Sequence, residues 1–273
     1  MNKTVLKKLL SSYENEQNEM KIRFDKGLFY SFLADAKKLL IIDFLRPTFQ
    51  EEEVVHLLSK VETKLTVLLK DSNVEDIEMK VKTFISKLPE IRELLLGSAR
   101  AIYHGDPAAN SIQEIILCYP GFYAISNFRI AHALYELDLK FLARLATEDA
   151  HRSTGIDINP GATIGKDFFI DHGTGIVIGE TTIIGDRVKL YQSVTLGALS
   201  LKNSDALRGK KRHPTVENDC TIYSSASILG GETVIGEGST IGSNTFITKS
   251  IPKRSLVYTS FDELVILPKD KQK

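Results

Sequence analysis

Between Ile156 and Ile247 aliphatic residues recur every six positions, and no other feature of the chain constrains its fold as much. Ile158, Ile164 and Ile170 are six apart; after a slip of two the spacing resumes at Ile178, Ile184, Leu190 and Leu196. Beyond a break it continues through Val216, Ile222 and Ile228, and after one extra residue through Ile235, Ile241 and Ile247. Glycine often follows the aliphatic residue, as at Gly165, Gly185 and Gly236. A small or β-branched residue often stands four after it, as at Thr182, Val194 and Ala226. A helix repeats about every 3.6 residues and a strand roughly every two, so neither accounts for this period. A hexapeptide repeat is the signature of a parallel β-helix. Each short strand turns one aliphatic side chain inward, a corner follows, and three hexapeptides close one coil, so that inward residues stack in columns. Neighbouring coils pair their backbones, leaving open edges only at the two ends.

The material before this stretch is different. Residues 1 to about 150 are poor in glycine and rich in Leu, Glu and Lys, and they read as helices. Leu6, Leu9 and Leu10 begin a short amphipathic pattern, and Phe29, Phe32, Leu33, Leu39, Leu40 and Ile42 suggest a second helix stopped near Pro47. In residues 51–70, Val54, Leu57, Leu58, Val61, Leu65, Leu68 and Leu69 share one face with charges opposite. Pro89 suits the first position of a helix that ends at HGDP, and a break is expected at Pro120-Gly121. The reading is therefore an α+β chain in three parts. Residues 1–150 form an α-helical domain whose amphipathic faces serve packing or subunit contact, 151–250 a parallel β-helix, and 251–273 a strand-rich closing segment with a charged tail.

Composition excludes some functions. Lys plus Arg equals Asp plus Glu at 35 each, without the basic excess of a general nucleic-acid binder. Cys118 and Cys220 have no C-x-x-C partner, which fits a reduced, cytoplasmic protein, and both are expected to pack rather than react. The first residues lack the long apolar run of a signal peptide, and no segment has the apolar length of a membrane span. Six histidines (His56, His104, His132, His151, His172 and His213) show no metal-binding spacing, so no metal is expected.

Chemistry concentrates in residues 155–180, which hold Asp157, Asp171, His172 and Glu180. A histidine with a carboxylate partner is a general base suited to neutral pH. Asp157 and His172 are nearly one coil apart and are expected to meet at a corner, whereas strand alternation turns Asp171 away from His172. The competing reading is that Asp-His-Gly is only a hydrophilic turn. The repeat is interrupted between Leu196 and Val216 by a polar loop carrying Arg208, Lys210, Lys211, Arg212 and His213, which is either a solvated flap or a surface for an anionic partner. Arg212 beside His213, near an Asp-His pair, suits a zwitterion, with its carboxylate on the guanidinium and its ammonium on an aspartate.

With these residues set out, the sequence resembles the serine O-acetyltransferases of cysteine biosynthesis. The likeness rests on YHGDPAA (103–109), GFYAISNFRIAHALY (121–135), GIDINPGATIG (155–165), DHGTGIVIGET (171–181), LYQSVTLG (190–197) and RHP (212–214). The resemblance implies a left-handed coil, a homo-trimer or a dimer of trimers, and acetyl transfer from acetyl-coenzyme A to the L-serine hydroxyl in a ternary complex. It implies that His172 is the base and Asp157 its orienting partner, that Asp106 and Asp171 bind the serine amino group, and that Arg212 and His213 hold its other end. It implies that Gly197, Ala198, Ser224 and Ser243 border the coenzyme A groove, and that L-cysteine is a feedback inhibitor. The chain departs from the family at Gly197-Ala198, where Gly-Gly is usual, and at Tyr223-Ser224-Ser225, where Gly-Ala-Gly is usual. It ends PKDKQK rather than in the isoleucine through which members dock O-acetylserine sulfhydrylase, so that docking is not expected. The alternatives are an acyltransferase for a homoserine, sugar or antibiotic hydroxyl, which needs no amino-acid clamp, and a non-catalytic scaffold.

Overall fold

A computed structural model describes residues 2–15, 24–46, 48–200, 207 and 209–260. Among the described residues eight helices come first: α1 (Lys3–Asn15), α2 (Lys26–Leu40), α3 (Ile42–Leu45), α4 (Glu51–Asp71), α5 (Ile77–Gly105), α6 (Ile112–Cys118), α7 (Pro120–Glu136) and α8 (Lys140–Thr154). Gln50 and Glu53 close a capping box on α4, whose first turn holds Glu51, Glu52 and Glu53 and whose last turn holds Lys70, as the helix dipole favours. Its buried face is Leu57, Val61, Leu65, Leu68 and Leu69.

Three sequence expectations need correcting. Pro89 does not start a helix; it lies inside α5. It faces solvent there, so water meets the carbonyl that loses its amide partner and the helix runs on. Cys118 is exposed at the end of α6, because that short helix turns only Ile115 and Ile116 inward. Cys220 is buried in the prism, as expected. Leu6, Leu9 and Leu10 lie on α1 as the amphipathic pattern indicates, and they are exposed. The helical part runs past residue 150 to Thr154, where Gly155 at φ 71 ends α8 in a left-handed cap.

The strands then wind as a three-sided coil. The first sheet orders β1 (Asp157–Ile158), β4 (Val177–Ile178), β7 (Thr195–Gly197), β10 (Ser227–Leu229) and β13 (Phe246–Ile247). The second contains β2 (Thr163–Ile164), β5 (Ile183–Ile184), β8 (Thr215–Val216) and β11 (Val234–Ile235), and the third β3 (Phe169–Ile170), β6 (Lys189–Leu190), β9 (Thr221–Ile222), β12 (Thr240–Ile241) and β14 (Leu256–Val257). Every pair is parallel, in registers such as Ile158↔Ile178, Ile164↔Ile184 and Ile170↔Leu190. The periodic aliphatics therefore stand in register and fill the prism, all buried from Ile158 to Ile247. The small residues four after them, such as Val188, Val194, Ala226 and Ser239, are buried beside them at the corners.

Helices brace the first coil. A Cβ on Gly105 would lie 2.5 Å from the Phe169 ring, so only glycine lets the end of α5 close on β3. That contact sets Asp106, the next residue, beside the corner that follows β3. No helix among the described residues is long and apolar enough to cross a membrane. Arg208 and the tail from 261 to 273 lie outside the described residues.

Candidate active site

The slip of two in the hexapeptide period falls between Ile170 and Ile178, at the corner leading from the third sheet to the first. The extra residues make a wide turn with His172 at φ 57, Gly173 at φ 82 and Gly175 at φ 81. A Cβ on Gly173 would meet Ile156 Cδ1 at 2.5 Å, so the glycine after the histidine is required by both space and backbone. The turn pushes the imidazole out of the prism; its side chain is 69% exposed.

Two carboxylates share that corner. Asp171 Oδ1 is 3.6 Å from His172 Nδ1. Asp106 caps the end of α5 and accepts the Tyr119 hydroxyl at 2.6 Å and the Ala108 amide at 2.8 Å. These bonds, with a smaller contribution from the nearby His172, hold Asp106 below the usual carboxylate range. The Tyr119 hydroxyl is correspondingly pushed up to about 12, mainly by its bond to Asp106. Asp106 thus stays ionised, turned by two donors toward the histidine corner. Tyr191 and Tyr223 wall the same corner one and two coils further on, stacked with centroids 5.0 Å apart and planes at 18°.

The expected contact between Asp157 and His172 is not formed in the single chain. Asp157 Oδ1 lies 3.7 Å from Arg144 Nη1, and its carboxylate groups with Glu148 and His151 on α8. Asp171, expected to diverge, is the neighbour of the imidazole instead. The alternation argument failed because His172 is not on a strand: its left-handed backbone swings the side chain back over the preceding residue. Glu148, His151 and Asp157 bring ligating atoms within 4.8 Å of one another, but the Arg144 guanidinium already pairs with both acids and supplies the cation there.

Arg212 and His213 occupy a different corner, between the first and second sheets, with Glu180 and Thr181 from the turn after β4. Arg212 Nη2 donates to Glu180 Oε2 at 2.5 Å, and Tyr135 of α7 donates to Glu180 Oε1 at 3.2 Å. The Arg212 bond is the main reason the Glu180 carboxyl is held low, which gives Glu180 a role that the sequence left open. His213 is buried, with Nδ1 accepting from the Thr181 amide at 3.1 Å and close to its hydroxyl at 2.9 Å. That hydroxyl accepts the amides of Arg212 and His213, so its own hydrogen points to Nδ1 and the ring carries its proton on Nε2. Lys211 is fixed on the carbonyls of Thr181, His213 and Pro214. The basic run is therefore not a free flap at Lys211, Arg212 or His213.

Burial, then the Arg212 charge, lowers the His213 pKa from 6.5 to about 4. The folded state keeps the ring neutral while the unfolded chain binds a proton below 6.5, so this contribution is whole above that pH and is lost as pH falls toward 4. Its full size is about 3 kcal/mol. His213→Asn, which retains an acceptor where Nδ1 sits, is expected to flatten the thermal-stability profile between these two pH values; parallel profiles for the two proteins would remove His213 as the cause.

The residues expected at the coenzyme A groove divide in the same way. Ser224 and Ser243 stand at the His172 corner, with their hydroxyls 3.1 Å apart. Gly197 and Ala198 follow β7 toward the Arg212 corner. Sequence reasoning missed Tyr119, Tyr191, Thr181 and Tyr135. Tyr191 and Tyr223 carried a signal, because each directly follows a third-sheet aliphatic, at the position Asp171 occupies one coil earlier.

Comparison with known proteins bears on this arrangement. No family model matches the chain. It is 54% identical over 179 residues to a plasmid-encoded serine acetyltransferase of Synechococcus elongatus, covering 64% of this chain and 56% of that relative, little more than half its length. It is 48% identical over 156 residues to a serine acetyltransferase of Bacillus subtilis, covering 57% of this chain and 69% of the relative. The crystal structure of Entamoeba histolytica serine acetyltransferase 1 in complex with L-cysteine aligns with a TM-score of 0.78 and 36% identity, over 90% of this chain and 95% of that one.

Proposed function

The chain belongs to the serine acetyltransferase family, and on that premise we propose that it transfers acetyl from acetyl-coenzyme A to the hydroxyl of L-serine, with His172 as general base, in a site that neighbouring copies complete. The observation that carries the reading is the exposed imidazole set beside two carboxylates at one corner of the prism. Asp106 and Asp171 receive the serine ammonium. Arg212 receives its carboxylate on guanidinium hydrogens that Glu180 leaves open, while Glu180 keeps the fork in place. Asp157, which pairs with Arg144 in the single chain, is the carboxylate that the family resemblance assigns to orient the imidazole and stabilise its charged form. His213 assists from the Arg212 side through its Nε2 hydrogen.

A serine hydroxyl is a poor nucleophile at neutral pH, so the imidazole takes its proton as the oxygen attacks the thioester carbonyl. The tetrahedral intermediate collapses by breaking the carbon–sulfur bond, and the departing thiolate recovers the proton from the imidazolium. No acyl-enzyme forms. Gly197, Ala198, Ser224 and Ser243 border the pantetheine path, with Tyr223 narrowing it where the family has a small residue.

The interior of the prism is filled by aliphatic columns, so the His172 and Arg212 corners of one chain stand apart across a sheet face. A serine-sized ligand reaches both only where one copy's His172 corner meets another's Arg212 corner. A left-handed coil assembled as a trimer, alone or paired, supplies that arrangement. L-cysteine, bound by the Entamoeba relative, is expected to compete for the serine position here. Thiol release from acetyl-coenzyme A should be fast with L-serine and weak with homoserine or sugars; faster release with homoserine, or none with any acceptor, would overturn the assignment.

A further inference from the structure

One amine outside that site has surroundings that change its chemistry. Lys37 lies on α2, which packs against α7, and the residue is half-buried. Among the described residues its ammonium makes no hydrogen bond or ion pair; it sits over the Tyr123 ring, 4.0 Å from the centroid. The acid that acts on it, Asp149 of α8, already accepts from Tyr123 at 2.8 Å, Asn127 at 3.3 Å and Arg152 at 2.8 Å. Desolvation therefore outweighs Asp149 and lowers the Lys37 pKa from 10.5 to about 8. Roughly one molecule in ten then carries the neutral amine at pH 7, against fewer than about one in a thousand for an ordinary lysine. A lysine desolvated in this way is a nucleophile.

Lys37 and Tyr123 both line a cavity of about 50 Å³ between α2, α5, α6 and α7. Ile41, Leu95, Ile116 and Phe122 make its walls apolar. Ser126 adds one hydroxyl, which donates to the Phe122 carbonyl at 2.8 Å. The Lys37 Nζ is not one of the sealed, unpartnered polar atoms of the chain, so a reagent can reach it. The cavity is too small for a metabolite but has room for a few atoms attached to that nitrogen.

We propose that Lys37 Nζ is a modification site that takes an acetyl group from an activated acyl donor, a thioester or an acyl phosphate, and houses the methyl group in this cavity. The unprotonated nitrogen attacks the acyl carbonyl carbon. The C–N bond forms as the C–S bond, or the C–O bond to phosphate, breaks, and the leaving thiolate or phosphate takes the proton that the nitrogen loses. The product amide is neutral, so a buried charge without an acid of its own disappears. A carbamate formed from carbon dioxide would instead set an anion against Ile41, Leu95 and Phe122. The step uses no group of the His172 corner, so it is independent of the acetyl-transfer reading.

Peptide mass spectrometry on the full chain tests it, after timed exposure to acetyl-coenzyme A or, separately, to acetyl phosphate. With at least one of the two, Lys37 should be acetylated at least about tenfold faster at neutral pH than exposed lysines such as Lys60 and Lys249, and the donor that labels it identifies the source. Its rate should level off above a pH of about 8, while theirs keep rising. Hexanoyl-coenzyme A, whose chain exceeds the cavity, should show no preference for Lys37. His172→Asn should label at Lys37 like the wild type. No preference for Lys37 with either acetyl donor, the same preference with the hexanoyl donor, or loss of Lys37 labelling in His172→Asn would each overturn the proposal.

Discussion

Replacing His172 by alanine is expected to lower turnover at least about a hundredfold while acetyl-coenzyme A still binds. The ring is mostly outside the protein and fills no part of the core, so its removal leaves no cavity. Its backbone, however, sits at φ 57, which alanine tolerates less well than asparagine does. His172→Asn separates the two effects: it accepts the left-handed backbone but provides no base. Both variants should lose turnover alike, with near-normal melting temperatures for the asparagine form. Full activity in His172→Asn would mean that the corner, and not the imidazole, matters.

The second large effect concerns assembly. His172→Ala and Arg212→Ala are each expected to be nearly inactive as purified homo-oligomers. Unfolded together in equal amounts and refolded, they should regain about one quarter of wild-type activity, the share of interfaces at which an intact His172 corner meets an intact Arg212 corner in a ring of identical contacts. A site contained within one chain predicts no recovery at all. Stopped assays on the mixed and separately refolded proteins decide between the two.

Much of this was legible because the period of six is a direct statement about side-chain direction. Ile164, Ile184 and Val216 had to stack once the repeat was recognised, and they do. The slip before Ile178 was visible too, but its meaning was not. A count of residues gives the length of a corner and not its backbone angles, and the angles decide that His172 leans to Asp171 rather than Asp157. Pro89 misled because helix-start preference is a local property, whereas an exposed proline inside a long, well-packed helix is tolerated. The fixed Lys211 and the buried His213 were hidden because a run of basic letters looks the same whether it is solvated or folded against carbonyls. Glu180 had no role until Arg212 and Tyr135 were seen to converge on it.

The two ends of the prism are not equivalent. At β3 the helices close over the coil through Gly105, whereas among the described residues the last turn is covered only by the bridge of Ile251 to Ile235 and by β14, whose Leu256 faces solvent. In a stack whose coils contact only their neighbours, melting propagates from the less protected end. Unzipping therefore starts at β14 and travels toward β1, reaching Ser243 and Ser224 before the turn that carries His172. If Ser224 and Ser243 border the acyl donor as proposed, warming loosens its grip while the groups proposed to hold the acceptor amine are still in position.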